Sequence, residues 1–63
     1  MTRDEAMAKL LAIGELRFED MLEYCGWPVE EVREVVLRLV QAGRVTWIHR
    51  NRGRWYRLTK AAP

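Results

Sequence analysis

The sequence is constrained most by a stripe of apolar residues that recur at helical spacing in the middle of the chain. At about 100° per residue these positions fall on one side of a helix. They are Val29, Val32, Val35, Val36, Leu39 and Val40. Gly43 follows at a position where helices commonly end. The pattern predicts a long amphipathic helix over residues 29–42 with one buried face.

A helix over residues 3–13 is predicted at the start of the chain. Thr2 and Glu5 have the spacing of a capping box, in which a hydroxyl and a carboxylate satisfy free backbone N–H groups. Gly14 stands where a left-handed C-terminal cap is expected. The apolar stripe of this helix consists of Met7, Leu10, Leu11 and Ile13.

A short strand over residues 16–18 and a second helix over residues 19–25 are predicted next. Alternation points the side chains of Leu16 and Phe18 to one face, and the two acidic residues that follow suit the first turn of a helix. The buried face of this helix is formed by Met21, Leu22 and Cys25. The Gly-Trp-Pro cluster at residues 26–28 then breaks the chain, so a tight turn is expected before the long helix.

Two runs rich in β-forming residues follow the long helix, over residues 45–49 and 54–58. The loop between them contains asparagine and glycine, which predicts an antiparallel hairpin with a short basic tip. Gly53 is expected to adopt a positive φ in this loop. Residues 59–63 are expected to form a frayed tail.

Three stretches carry a resemblance to a known family that covers essentially the whole chain. Residues 16–22 are similar to a strand and second-helix entry, residues 32–45 to a third helix, and residues 53–59 to the returning strand of a wing. Together they resemble the winged helix-turn-helix family. The resemblance implies an α+β fold in one domain, with three helices, a small antiparallel sheet and a C-terminal hairpin wing. It also implies sequence-specific DNA binding in transcription regulation, with the third helix in the major groove.

Composition excludes several other classes of protein. A chain of 63 residues has room for one domain with one core. Its single cysteine, Cys25, cannot form an internal disulfide or a cysteine cluster for zinc, so a reducing compartment is expected. No apolar run approaches the ~18 residues of a membrane span, and a signal-peptide pattern is missing from the start. We therefore expect a cytoplasmic protein that has no membrane partner.

Charge is divided along the chain, although the net charge is only +2. Residues 1–34 contain four basic and nine acidic residues, a balance of −5, whereas residues 35–63 contain seven basic residues and no acidic one. Such a division points to an anionic partner, and the planar guanidinium of arginine suits phosphates and bases. We expect contact with DNA, with duplex DNA favoured over single-stranded DNA or RNA. The residues expected to make this contact are Arg33, Arg38, Arg44, Arg50, Asn51, Arg52, Arg54, Trp55 and Arg57.

A second class of function remains open. The exposed side of the predicted long helix carries Glu30, Glu31 and Glu34, which would oppose its insertion between phosphates. This acidic face, together with Trp55, could instead hold a protein partner or a second copy of the chain. The arginines of the hairpin would then only keep an exposed strand edge from pairing.

The remaining polar and aromatic residues predict structure rather than chemistry. Trp27 and Trp47 are expected in or beside the core, and Trp55 is expected to be the most exposed tryptophan. His49 is expected to be a surface residue. The chain contains no Ser/His/Asp set and no phosphate-binding loop, so we expect neither an enzyme nor a bound cofactor or metal.

Overall fold

The computed structural model describes residues 2–59, which form three helices and three strands in the predicted order. The elements are α1 (Arg3–Ile13), β1 (Leu16–Arg17), α2 (Phe18–Cys25), α3 (Val29–Gln41), β2 (Val45–Arg50) and β3 (Gly53–Leu58). The prediction of an α+β fold with a small antiparallel sheet is confirmed at this level, and the arrangement is compatible with a winged-helix layout. None of the helices within residues 2–59 combines the length and apolar character that crossing a membrane requires.

Helix α1 begins at the predicted residue with one half of the predicted capping box, and it ends differently from the prediction. The backbone N–H of Glu5 donates to the Thr2 hydroxyl oxygen at 3.1 Å. Gly14 is extended, with φ of 173°, so the prediction of a left-handed cap is wrong: the chain leaves the helix directly toward β1. Ile13 is 86% exposed rather than buried. Residues two positions apart in the sequence are about 200° apart around a helix, so Ile13 points away from the face that carries Leu11.

Strand β1 is one residue shorter than predicted, because Phe18 is the first residue of α2. The backbone N–H of Arg17 donates to a carboxylate oxygen of Asp20 at 3.1 Å, which stabilises the start of this helix. That hydrogen bond is the main cause of the lowered pKa of Asp20, and a second hydrogen bond, from the Arg17 guanidinium, lowers this pKa further. Gly26 ends the helix in the left-handed region, with φ of 68°.

Helix α3 supplies half of the core, as its apolar stripe predicts. Its end forms a Schellman motif, in which Gly43 has φ of 75° and the N–H of Arg44 donates to the carbonyl of Leu39 at 2.9 Å. Val29, in the first turn, remains exposed. The core cluster consists of Met7, Leu11, Met21, Val32, Val35, Val36, Leu39 and Val45.

The sheet has the order β1-β3-β2, with both pairs antiparallel. Arg50 lies opposite Gly53, so the turn between β2 and β3 contains only two residues. Asn51 and Arg52 both have positive φ, 50° and 65°, as a two-residue type I′ turn requires. The prediction of a positive φ at Gly53 is therefore wrong, because the strands extend one residue further toward the turn than expected.

Thr59 attaches the end of β3 to the turn after α3. Its N–H donates to the carbonyl of Arg44 at 2.9 Å, and its hydroxyl donates to the carbonyl of Gly43 at 2.6 Å. The prediction that Thr59 belongs to a frayed tail is therefore wrong. The other residues of that predicted tail, 60–63, lie outside the described residues.

Candidate nucleic-acid interface

The antiparallel register divides the β2–β3 hairpin into two faces with different surroundings. The outer face carries Thr46, Ile48, Arg50, Trp55 and Arg57, with Arg17 of β1 beside Trp55. The inner face carries Val45, Trp47, His49, Arg54, Tyr56 and Leu58. Val45 is buried in the core, and Tyr56 and Leu58 pack against it, so the inner face is the one that covers the helices.

Trp55 is enclosed on the outer face by arginines of the same chain. The guanidinium carbons of Arg17 and Arg50 lie 5.3 and 5.5 Å from the centre of its indole ring. The indole N–H donates to the backbone carbonyl of Arg50 at 3.2 Å. Trp55 lies on the predicted face, but it is half-buried, so the prediction that it is the most exposed tryptophan is wrong.

Glu15 connects two of the predicted site arginines. One of its carboxylate oxygens contacts the Arg50 guanidinium, and the other lies 3.4 Å from Nη1 of Arg57. No sequence pattern marks Glu15 as a site residue. Its position is informative only after the register is known, because β1 must pair with β3 before Glu15 reaches the outer face. Both arginines remain exposed, and such surface ion pairs contribute little to stability, so a phosphate can replace the carboxylate at small cost.

The turn residues, Asn51 and Arg52, form the tip of the hairpin and are exposed. Arg52 makes no ion pair with any residue between 2 and 59. Its left-handed conformation is unfavourable for a residue with a Cβ atom, so the tip holds a cation where glycine would suit the backbone better.

Trp47 lies on the inner face of the edge strand β2 and is 38% exposed, which is more than predicted for a residue in or beside the core. Its cross-strand neighbour Tyr56 packs against the core. The guanidinium of Arg54 stacks 4.3 Å from the Trp47 ring centre. The His49 ring meets Trp47 edge-on at 5.4 Å, and His49 is exposed as expected. Trp27, by contrast, packs against the core.

A cleft lies between α3 and the part of the inner face that carries Trp47, Arg54 and Tyr56. It has a volume of about 390 Å³. Its lining consists of Phe18, Arg33, Val36, Leu37, Val40, Trp47, Arg54 and Tyr56. Two predicted site residues thus line the same cleft from different elements, Arg33 from α3 and Arg54 from β3.

Two other predicted site residues lie away from the hairpin tip. Arg38 is on the α1 side of α3, where its guanidinium donates to both carboxylate oxygens of Asp4, at 2.8 and 3.2 Å. This contact lowers the pKa of Asp4 and raises that of Arg38. Arg44 precedes β2 at the end opposite the tip, about 20 Å away for a six-residue strand.

The acidic face of α3 is smaller than its sequence predicts. Glu31 contacts the guanidinium of Arg3 and is half-buried, which leaves Glu30 and Glu34 exposed. Neither of these two residues lines the cleft.

Residues 2–59 contain no group of three His, Cys, Asp or Glu side chains that could hold a metal ion. Cys25 is half-buried at the end of α2, and its burial raises the pKa of the thiol, which disfavours the reactive thiolate.

Comparisons with protein-family models, curated protein sequences and solved structures give no match for this chain. The interpretation of its function therefore depends on the geometry of the two hairpin faces and the cleft.

Proposed function

We propose that this chain is a nucleic-acid-binding protein of the winged-helix type, and specifically a small DNA-binding transcriptional regulator. The observation that supports this function is the concentration of guanidinium groups on the tip and outer face of one hairpin. We call this set the basic surface. It consists of Arg17, Arg50, Asn51, Arg52 and Arg57, arranged around Trp55.

The charge of the basic surface favours phosphates. Its four arginines are opposed only by Glu15 and Asp20, so two positive charges remain in excess. Guanidinium forks donate to phosphate oxygens in the same planar geometry with which they contact carboxylates. The Glu15 carboxylate therefore marks a position where a phosphate group can be bound by Arg50 and Arg57 together.

The basic surface suits the backbone and minor groove of a duplex better than stacked single-stranded bases. Two arginines of the chain already lie over the Trp55 ring, so less of this indole is free to stack on a base. A two-residue tip is narrow, and arginine at such a tip can enter a minor groove. Insertion of α3 into the major groove is opposed by Glu30 and Glu34. In this proposal the hairpin therefore makes the main contact.

Fluorescence anisotropy with a labelled duplex of about 20 base pairs tests this proposal. We expect binding at low salt, with a log–log salt slope of about −3, which corresponds to about three phosphate contacts. Arg52→Gly should weaken binding and reduce the slope by about one, because it removes one contacting cation. Single-stranded DNA and RNA of matched sequence should compete less well than the unlabelled duplex.

Arg44→Gln is the matched control, because it removes the same charge at the opposite end of β2. It should leave the salt slope unchanged. The proposal fails if no nucleic acid binds at low salt, or if Arg44→Gln and Arg52→Gly weaken binding equally.

A further inference from the structure

The cleft between α3 and the inner face exposes large apolar side chains on both of its walls. Leu37, on the α3 wall, is 53% exposed, and Trp47, on the sheet wall, is 38% exposed. The apolar lining of the cleft also includes Phe18, Val36 and Tyr56. Water therefore contacts a concave apolar surface, and burying it against a partner is favourable.

The charged groups of the cleft have a single sign. Arg33 lies on the α3 wall and Arg54 on the sheet wall, and no acidic residue is among the eight lining residues. Neither arginine forms an ion pair within residues 2–59, whereas Arg50 and Arg57 of the basic surface share Glu15. The cleft thus lacks the internal carboxylate that its neighbouring surface has.

We propose that this cleft binds an acidic amphipathic segment of a partner protein. The apolar walls take aliphatic or aromatic side chains of the segment, and Arg33 and Arg54 contact carboxylates on either side of them. Nucleic acid fits this surface less well, because Leu37 and the other apolar walls donate no hydrogen bonds to phosphates. The proposal does not depend on DNA binding, since it uses neither the hairpin tip nor the outer face.

The open shape of the cleft fits recognition of a helix in a groove. Such a helix presents anchors at spacings of three and four residues along one stripe, with polar residues beside it. Glutamates that flank this stripe would reach one arginine on each wall. A helix with lysines in the same places would meet Arg33 and Arg54 with like charge, so sign selectivity distinguishes this mode from general hydrophobic binding.

The probe is a labelled synthetic peptide of about four helical turns, with leucine and phenylalanine at positions i, i+3, i+4 and i+7 and glutamate beside them. A matched peptide has lysine in place of every glutamate. Each is titrated with the full chain and followed by anisotropy and by the indole N–H resonances of the three tryptophans. We expect the acidic peptide to bind at least about tenfold more tightly than the basic one and to shift the Trp47 resonance more than that of Trp27.

Two variants and one control locate the site. Leu37→Ser should reduce affinity for the acidic peptide by about tenfold, because it removes an exposed apolar anchor. Arg33→Glu should abolish the preference between the two peptides, because it leaves one positive and one negative side chain in the cleft. Ile13→Ser is the control, since it replaces another exposed aliphatic residue on α1, and affinity should stay within about twofold.

Three outcomes would overturn the proposal. The first is absence of acidic-peptide binding at about 1 mM. The second is an equal loss of affinity in Leu37→Ser and Ile13→Ser. The third is displacement of the peptide by duplex DNA that itself shifts the Trp47 resonance, which would assign the cleft to nucleic acid. The duplex titration of the wild-type chain is scored separately, so failure of DNA binding and failure of the cleft proposal are distinguishable.

Discussion

Each face of the hairpin places a tryptophan beside arginine, but the two faces differ in how much of the indole they leave open. On the outer face, Trp55 is enclosed by Arg17 and Arg50, and its N–H is bonded to the backbone. On the inner face, Trp47 is stacked by Arg54 but remains open toward the cleft. On the outer face, the indole is covered by side chains of the chain itself. The inner face leaves apolar surface uncovered.

This difference shows that adjacent residues of one strand can have different surroundings. Successive residues of β3 alternate between the faces, so Trp55 and its neighbour Tyr56 belong to different surroundings. A substitution at one of these positions should therefore affect stability and binding in a different ratio from a substitution at the other.

The largest effect on stability is expected for Tyr56→Ala. Tyr56 lies opposite Leu16 and Trp47 at the centre of the sheet and packs against the core, so its truncation should lower the free energy of unfolding by about 2–3 kcal/mol. Trp55→Ala removes two exposed cation–π contacts and one hydrogen bond and should cost about 1 kcal/mol. Urea denaturation monitored by circular dichroism measures both. Equal losses would contradict the division into two faces.

Arg52→Gly should stabilise the fold while it weakens nucleic-acid binding. Glycine relieves the left-handed conformation at this position, with an expected gain of about 0.5–1 kcal/mol after the larger entropy of the unfolded chain is counted. Arg52→Ala is the matched control: it removes the same charge but keeps a Cβ atom, so it should give no such gain. Thermal denaturation of the wild type and the two variants separates the effect of backbone conformation on stability from the effect of charge. If both variants are equally stable, the turn is not strained at Arg52.

Glu15→Gln should strengthen duplex binding by about threefold, because it removes the carboxylate that competes with phosphate for Arg50 and Arg57. Glu23→Gln changes the net charge equally at an exposed position of α2 and is the control. Binding of the acidic peptide to the cleft should not change in either variant. Anisotropy with both ligands measures this, and equal gains in the two variants would show that only net charge matters.

The smallest effect is expected for Asp4→Asn, outside both faces. The pKa of Asp4 is lower in the folded chain than its ordinary value, so the Arg38 contact stabilises the fold above the unfolded-state pKa, and this contribution is lost as the pH falls through the folded-state value. The variant should melt slightly lower at pH 7 and lose less stability than wild type between pH 5 and pH 2. Its duplex affinity should be unchanged. A gain in duplex affinity like the one expected for Glu15→Gln would place Arg38 within the interface.

The sequence predicts the order and nature of the elements because local signals are consistent here. The apolar stripe of α3, the capping pattern of Thr2 and the breaker before α3 each act within a few residues. What it does not predict depends on pairing between distant residues. The turn type at Asn51 and Arg52 follows from where β2 and β3 stop pairing, and the exposure of Trp47 accords with the place of β2 at the edge of the sheet.

The candidate site is predictable only in part for the same reason. Charge along the chain identifies the arginines, but their grouping depends on three-dimensional contacts. Arg50, Arg52 and Arg57 share the tip and outer face, whereas Arg38 contacts α1. Glu15 has no local pattern that marks it, because its role comes from the pairing of β1 with β3.

The two hydrogen bonds of Thr59, together with buried Val45, fix the hairpin at its base, whereas Asn51 and Arg52 at the tip are exposed. The hairpin is thus anchored more firmly at its base than at its tip. We expect its fluctuations to grow along its length without disturbing the core. Such compliance would let one chain follow grooves whose widths vary with base composition, at a small cost in conformational free energy.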